Sequence, residues 1–409
     1  MIPTVQNELA RENRSSLAMA VSMPYPPAYL EYLWYIHLVY SMLGQVWGLV
    51  IPAVDGVIWL FIAGACLLNM GSRAYKPVVW GLCTAVLTIA IQVLFYDPAA
   101  PVARTEIVEL CSWIAALITV QALSLRPGFL HRFALVASGI GLACVPYIQV
   151  RVVDGVARAW ATGTQIATPN VLGMWFGFCT IYFVFSGLHC ATSRILRFAS
   201  WGAAIACFFI LLIAVSRGPL LGLMLGCIIG LRSTLKANFV PLLGFVLLIW
   251  LVFATGVFDE WLGYYFFRAA EQSGRERLFP IAIERILDSP WIGVGLADVA
   301  IRNSVGKFIN PHNGLLHIAL GAGIFPMLCF VRYMAQAIIG AFCIVLKEPA
   351  GGESALIPPL VMFALVEIMI LDFSFMSPWV VVAFSLASTQ QGPVYSGERL
   401  RKQENDYTR

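Results

Sequence analysis

The chain has 409 residues, of which 60% are hydrophobic and 12% charged, and its 26 Lys and Arg against 22 Asp and Glu give a net charge of +4. Soluble domains carry roughly 25% charge, so this composition, with a mean hydropathy of +0.81, leaves most of the surface unfit for water and excludes a separate soluble domain. The basic residues are too few and too dispersed for a nucleic-acid-binding stripe, and the expected architecture is all-α: one polytopic, helical integral membrane domain over residues 1–409.

Residues 1–30 read as a cytoplasmic tail. Arg11, Glu12, Asn13 and Arg14 precede a Pro-rich stretch, and no small-residue cleavage site follows. Apolar runs then occur near 32–51, 56–70, 77–95, 107–125, 133–150, 169–188, 198–215, 218–231, 238–258, 314–346, 356–372 and 375–389. A helix crosses a bilayer in about 20 residues, so the pattern predicts about twelve transmembrane helices. The run 314–346 is too long for one crossing, and a tilt or an interfacial turn must absorb the excess. Ten cysteines lie singly between Cys66 and Cys343 without a Cys-x-x-Cys or Cys-His cluster, so they read as small core residues and not as metal ligands or disulfides.

Lys and Arg accumulate in short cytoplasmic loops of membrane proteins. With the N-terminus inside, Arg73, Lys76, Arg126, Arg132, Arg194, Arg197, Arg232, Lys236, Lys347, Arg399, Arg401 and Lys402 fall on the cytoplasmic side, and only Arg104, Arg151, Arg158 and Arg217 in short outer loops. Residues 390–409 then form a cytoplasmic C-terminal tail. The long hydrophilic insert 259–311 lies outside.

Polar residues concentrate in that insert. Ser273, Gly274 and Arg275 suggest a turn, after which Leu278, Ile281, Ala282, Arg285 and Ile286 recur at helical spacing. This predicts a short amphipathic helix at the membrane surface, with Pro280 in its first turn and a stop at Asp288, Ser289 and Pro290. Gly293 and Gly295 supply a turn. The chain re-enters the membrane at Asn310 to Asn313, with Pro311 expected in the first turn of the next helix.

A second concentration is Ser216, Arg217, Gly218 and Pro219, wedged between two apolar runs on the outer side. An arginine at the bilayer centre costs about 2.5–3.5 kcal/mol on insertion scales, so it needs either a snorkelling route to lipid phosphate or an anionic ligand. Gly218 and Pro219 break the helix beside the guanidinium and leave backbone N–H groups available to an anion. Among five histidines, His37, His131 and His189 lie in or beside apolar runs and read as structural. His312 and His317 are five apart and share no helix face as i, i+4 metal ligands would. No metal site or cofactor is expected.

The ordered set Ser-Arg-Gly (216–218), a large outer loop, Ser-Gly-Arg (273–275), Ser-Pro-Trp-Ile-Gly-Val-Gly (289–295), Pro-His-Asn-Gly-Leu-Leu (311–316) and Gly-Ala-Gly-Ile-Phe-Pro (321–326) resembles the O-antigen ligase and Wzy-type polymerase superfamily of bacterial surface-glycan enzymes. The resemblance is good over about 200–346, while the first six spans match as hydropathy alone. It implies a GT-C-like, metal-independent glycosyltransferase of the bacterial inner membrane, with its active site facing the periplasm. The donor would be an oligosaccharide on undecaprenyl pyrophosphate, drawn from the membrane lipid. The family's arginines fall on Arg217 and Arg275, and its histidine on His312. Where the family more often has Thr and then Leu-Trp, this chain has Glu276, Arg277, Leu278 and Phe279, so Arg275 and Arg277 both stand as candidates for the second pyrophosphate clamp.

On this reading the arginines neutralise the leaving pyrophosphate and His312 orients or deprotonates the acceptor hydroxyl. Ser216, Gly218 and Asn313 would bind substrate. Glu367 and Asp372, toward the outer end of the eleventh span, could bind acceptor sugars; pairing with Arg332 or a loop arginine is their alternative role. The loop motifs resemble the polymerase branch, whose acceptor is a second lipid-linked glycan, whereas a ligase would use the lipid A core. Chain-length regulator and flippase proteins are candidate partners. A secondary transporter would also show about twelve spans, but such folds repeat a midplane site in both halves, and no internal repeat is evident.

Overall fold

A bilayer offers no water to unpaired backbone groups, so apolar segments must satisfy their N–H and C=O within helices. The computed structural model describes residues 25–44, 46, 48, 52–94, 101–153, 155–237, 263–264, 275–302, 308–346, 352–371 and 374–389. The expected tails over 1–24 and 390–409 and the expected span 238–258 lie outside the described residues. Helices follow the apolar runs closely: α1 (Ala28–Leu43), α2 (Pro52–Asn69), α3 (Val79–Leu94), α4 (Pro101–Leu123), α5 (Phe129–Cys144), α6 (Pro169–His189), α7 (Arg194–Ile213) and α8 (Arg217–Ala237). After these come α9 (Arg275–Asp288), α10 (Gly314–Ala322), α11 (Ile324–Leu346), α12 (Ile357–Ile370) and α13 (Pro378–Thr389). Among the described residues, seven helical stretches are long and apolar enough to cross a membrane, from Ala74–Leu94 to Gly352–Ile370, and Val54–Asn69 and Pro378–Thr389 are shorter apolar helices. The chain is a multi-pass helical membrane protein.

Two features depart from the sequence expectation. The stretch after α5 is a β-hairpin, β1 (Ile148–Val153) and β2 (Val156–Ala161), paired antiparallel from Ile148 with Ala161 to Val153 with Val156. A shorter ladder joins β3 (Ile301–Arg302) and β4 (Phe308–Ile309). The over-long run 314–346 is resolved by a break at Gly323, which separates the nine-residue α10 from α11.

The bundle has two chemically distinct ends. At one, Glu31 at the start of α1 is buried and pairs with Arg126 Nε at 2.9 Å and Arg132 Nε at 2.6 Å, while the Tyr35 hydroxyl donates to the same carboxylate. Glu353 accepts from the Leu130 N–H in the first turn of α5, and Arg232 on α8 donates to the Val345 carbonyl of α11. Between the ends, a run of rings ties five helices: Trp34 stacks on Phe133, Phe133 meets Trp379, Trp379 stacks on Phe178, and Phe178 contacts Phe363. The other three histidines serve this interior. His37 faces Asp55 at 3.6 Å, His131 shares a hydrogen bond with the Tyr182 hydroxyl, and His189 stacks on Phe185.

Helix α8 carries glycines at every fourth position, 218, 222, 226 and 230. Added Cβ atoms there would strike Ile370 and Phe363 of α12, or Ile181 and Phe185 of α6. Small residues at this spacing let helix backbones approach closely in a membrane, and α8 is thereby seated against both α6 and α12.

At the opposite end from Glu31, the Ser289–Gly295 and Gly321–Pro326 motifs pack backbone to backbone. The Val294 N–H donates to the Leu320 carbonyl at 2.7 Å and the Ile324 N–H to the Pro290 carbonyl at 2.8 Å. Gln92 of α3 bridges them, donating to the Gly321 carbonyl and accepting from the Leu296 N–H. Gly323 has φ +83°, and a Cβ there would lie 2.2 Å from the Trp291 carbonyl oxygen. Gly323→Ala combines left-handed strain with a clash against fixed backbone and is expected to cost about 2–4 kcal/mol, read as a lower melting temperature of the detergent-solubilised protein.

Candidate active site

The Ser216–Gly218 turn is built by α6, α7, α8 and the first hairpin. Helix α7 ends at Ile213, Val215 adopts φ 46°, and α8 starts at Arg217. Positive φ in a β-branched residue is an outlier that only surrounding structure can hold. The holding group is Asn170, at the start of α6. Its Oδ1 accepts from the Ser216 hydroxyl at 2.9 Å and from Arg158 Nη2 at 3.0 Å, and Arg158 Nε also donates to the Ala214 carbonyl. Gly173 on the next turn of α6 lets Ser216 and Pro219 approach; a Cβ there would meet each at 3.1 Å. Ser216 is thus buried while Arg217 projects into the open.

Sequence reasoning placed Arg158 in an outer loop and passed over Asn170. Both pin the turn. Asn170→Ala would strip a buried hydroxyl and a guanidinium of their shared acceptor, at a cost of about 1–3 kcal/mol, with a matching loss of melting temperature. Asn170→Asp, which still offers an acceptor to both donors, should retain most of the stability.

His312 is the other described non-glycine residue with positive φ, at 50°. It is half-buried and directly precedes Asn313, which is 5% exposed and caps α10 by accepting from the N–H groups of Leu315 and Leu316, each at 3.0 Å. Pro311 was expected inside the first turn of this helix; it stands instead two residues before the cap, because Asn313 has the side chain that satisfies the orphan N–H groups. The Asn313 amide donates across to the Met369 carbonyl of α12 at 3.2 Å. Gly218 lies against Ile370, the adjoining residue. Two motifs nearly a hundred residues apart in sequence are therefore seated on consecutive residues at one end of α12.

Helix α9 starts at Arg275, earlier than its apolar spacing suggests, so Pro280 lies inside the helix and not in its first turn. Leu278, Ala282 and Ile286 form the buried face, which packs against α10, whereas Ile281 is exposed. Arg285 donates to the Ala300 carbonyl. The backbones of Arg275 and Arg277 thus belong to an element resting on the helix that Asn313 caps. The side chains of Arg275 and Arg277, together with Ser273, Gly274 and Asp372, lie outside the described residues. Glu367 is fully buried on α12, one turn before Ile370. Arg332 lies on α11, and among the described residues it forms no ion pair.

No curated protein matches the chain. Residues 202–331, running from α7 through the Ser216–Gly218 turn and the His312–Asn313 cap into α11, match the family model described as O-antigen ligase. Over that stretch, with two of its motifs converging on α12, the chain is similar to the O-antigen ligase family.

Proposed function

We propose that the chain is a membrane glycosyltransferase that passes a glycan from undecaprenyl pyrophosphate to an acceptor hydroxyl at the periplasmic face, acting as a polymerase of O-antigen or exopolysaccharide repeats. The observation that supports this reading is that the residues following Arg217 and His312 are seated side by side on the end of α12, where Gly218 meets Ile370 and Asn313 meets Met369. A leaving pyrophosphate needs positive charge, and an exposed guanidinium beside a helix start supplies it with fork geometry. An acceptor hydroxyl needs a base, which an imidazole can be near neutral pH.

In this mechanism the acceptor oxygen attacks the anomeric carbon. The bond from that carbon to the pyrophosphate oxygen breaks, and its electron pair leaves on the phosphate. Arg217, with Arg275 or Arg277, pairs with the growing charge, and the hydroxyl proton passes to His312. Ser216 and Gly218 shape the turn, and Asn313 fixes the backbone that presents the imidazole. Glu367, buried on α12, supports that end of the helix, and Asp372 is the proposed acidic contact for acceptor sugars. The chain orientation follows the basic residues: the end holding Arg126, Arg132 and Arg232 faces the cytoplasm.

The test is turnover by the purified protein in detergent with a defined undecaprenyl-pyrophosphate oligosaccharide. A ladder of lengthening lipid-linked products from donor alone is expected. Product that appears only on addition of lipid A core would assign the chain to the ligases, and no transfer to either acceptor would sink the proposal.

A further inference from the structure

The first hairpin presents a charged face. Side chains alternate along a strand and directly opposed residues share a face, so the register groups Gln149 with Trp160 and Arg151 with Arg158. This face is turned toward the Ser216–Gly218 turn, because Arg158 reaches from it to Asn170 Oδ1 and to the Ala214 carbonyl. Two guanidinium-bearing residues therefore stand opposite each other, with Cβ atoms about 4.5–5.5 Å apart, an arrangement that costs stability when the charges are alike. Arg158 has a structural task at the turn. Arg151 is exposed, its hydrogen bond goes to Gln149 Oε1 on its own strand at 3.1 Å, and no carboxylate pairs with it among the described residues. Arg151, Arg158 and Arg217 are also three of the four arginines in short loops on that side of the chain, against the bias that keeps basic residues in the cytoplasm.

An oxyanion shared between Arg151 and Arg158 would turn their repulsion into attraction, and the guanidinium fork suits the oxygens of a phosphate. Trp160 adjoins the pair on the same face. It is half-buried, and its indole N–H is buried with no hydrogen-bond partner among the described residues. Phosphate is common to a phospholipid headgroup and a lipid-linked saccharide; a ring with a polar handle beside it favours the saccharide. We propose that the hairpin face binds one phosphate of a lipid-linked saccharide between Arg151 and Arg158, with the phosphate-linked sugar against Trp160. This phosphate is then one of the donor's two, the other lying on Arg217, and hairpin and turn hold the diphosphate together. Its assignment to the donor rests on the proposed function; the oxyanion site between the arginines does not.

Arg151→Glu separates the site from the fold. It sets a carboxylate opposite Arg158 where a like charge stood, so this variant should melt at the parent's temperature or above while losing the anion. Two measurements on the full-length protein in detergent test the proposal. In the first, the melting temperature is titrated with inorganic pyrophosphate in an Arg217→Ala background, which removes the clamp at the turn. A saturable rise is expected, with an affinity weakened about tenfold or more by added Arg151→Gln and further by Arg151→Glu. Equal affinity in all three proteins would overturn the site. In the second, transfer rates are followed against undecaprenyl-pyrophosphate oligosaccharide with Arg217 intact. Arg151→Gln should raise the donor KM about tenfold or more with kcat kept, and Trp160→Phe, which keeps a ring and deletes the N–H, should raise it several-fold. Unchanged KM in either variant would overturn that residue's part in the site. A parent KM that added phosphatidylglycerol raises as much as Arg151→Gln does would give the anion to a headgroup and overturn the saccharide. Pyrophosphate binding as expected, together with full transfer by Arg217→Ala, would instead overturn the reaction and keep the site.

Discussion

Replacing Arg217 with Ala should lower glycan transfer by about 10²- to 10³-fold, the usual loss when one preorganised partner of a developing negative charge is removed. The fold should not suffer. Arg217 is exposed, and its neighbours Ser216 and Gly218 make the packing contacts of the turn. It is also a cation at the first residue of α8, where the helix dipole disfavours positive charge by up to about 1 kcal/mol. Arg217→Ala should therefore melt at the same temperature as the parent or slightly above while being nearly inactive. Arg217→Lys keeps the charge but loses the fork, so it should recover part of the rate and no more. Equal transfer by the parent and Arg217→Ala at matched membrane levels would remove the pyrophosphate clamp from the mechanism.

His312→Gly should cost about 10²- to 10⁴-fold in transfer, the typical worth of a general base. Glycine is the informative replacement because His312 holds φ at 50°, a conformation glycine adopts without strain. The substitution deletes the imidazole while easing the backbone, so Asn313 can keep its cap on α10. His312→Ala would mix loss of the base with strain and is the poorer experiment. Added imidazole should restore part of the His312→Gly rate and none of the Arg217→Ala rate. Undiminished transfer by His312→Gly would show that the acceptor is activated elsewhere.

The helices were legible because lipid simplifies the code: an apolar run of sufficient length has little choice but to become a helix. Runs at 169–188 and 198–215 became α6 at 169–189 and α7 at 194–213 almost unchanged. The motifs that carry Arg217 and His312 both fall in the stretch 202–331 that matches the O-antigen ligase model. The hairpin 148–161 was overlooked although Asp154-Gly155 between β-rich flanks is a strong turn signal, since those residues were taken with a span and the loop after it. The glycines of α8 at every fourth position were also readable, as a small-residue packing face.

Other features could not be read from sequence. The acceptor shared by Ser216 and Arg158 is Asn170, 46 and 12 residues away respectively, and no local pattern announces a pairing that exists only once α6, α7 and the hairpin meet. The left-handed backbones of Val215 and His312 are equally hidden, because neither residue type calls for them. Local propensity failed at the two turns that carry the proposed site, which is where strain is expected to be stored.

The anchoring of α1 bears on how the chain is assembled during synthesis. Glu31 finds Arg126 and Arg132 only after about a hundred further residues have been made, and a buried carboxylate stripped of such partners is worth several kcal/mol of instability. The first helix must therefore wait beside the translocon, its acid still hydrated or protonated, until the fourth and fifth arrive and neutralise it. Biogenesis of the chain then includes a delayed capture, in which the earliest segment to emerge is locked only when the fifth helix joins it.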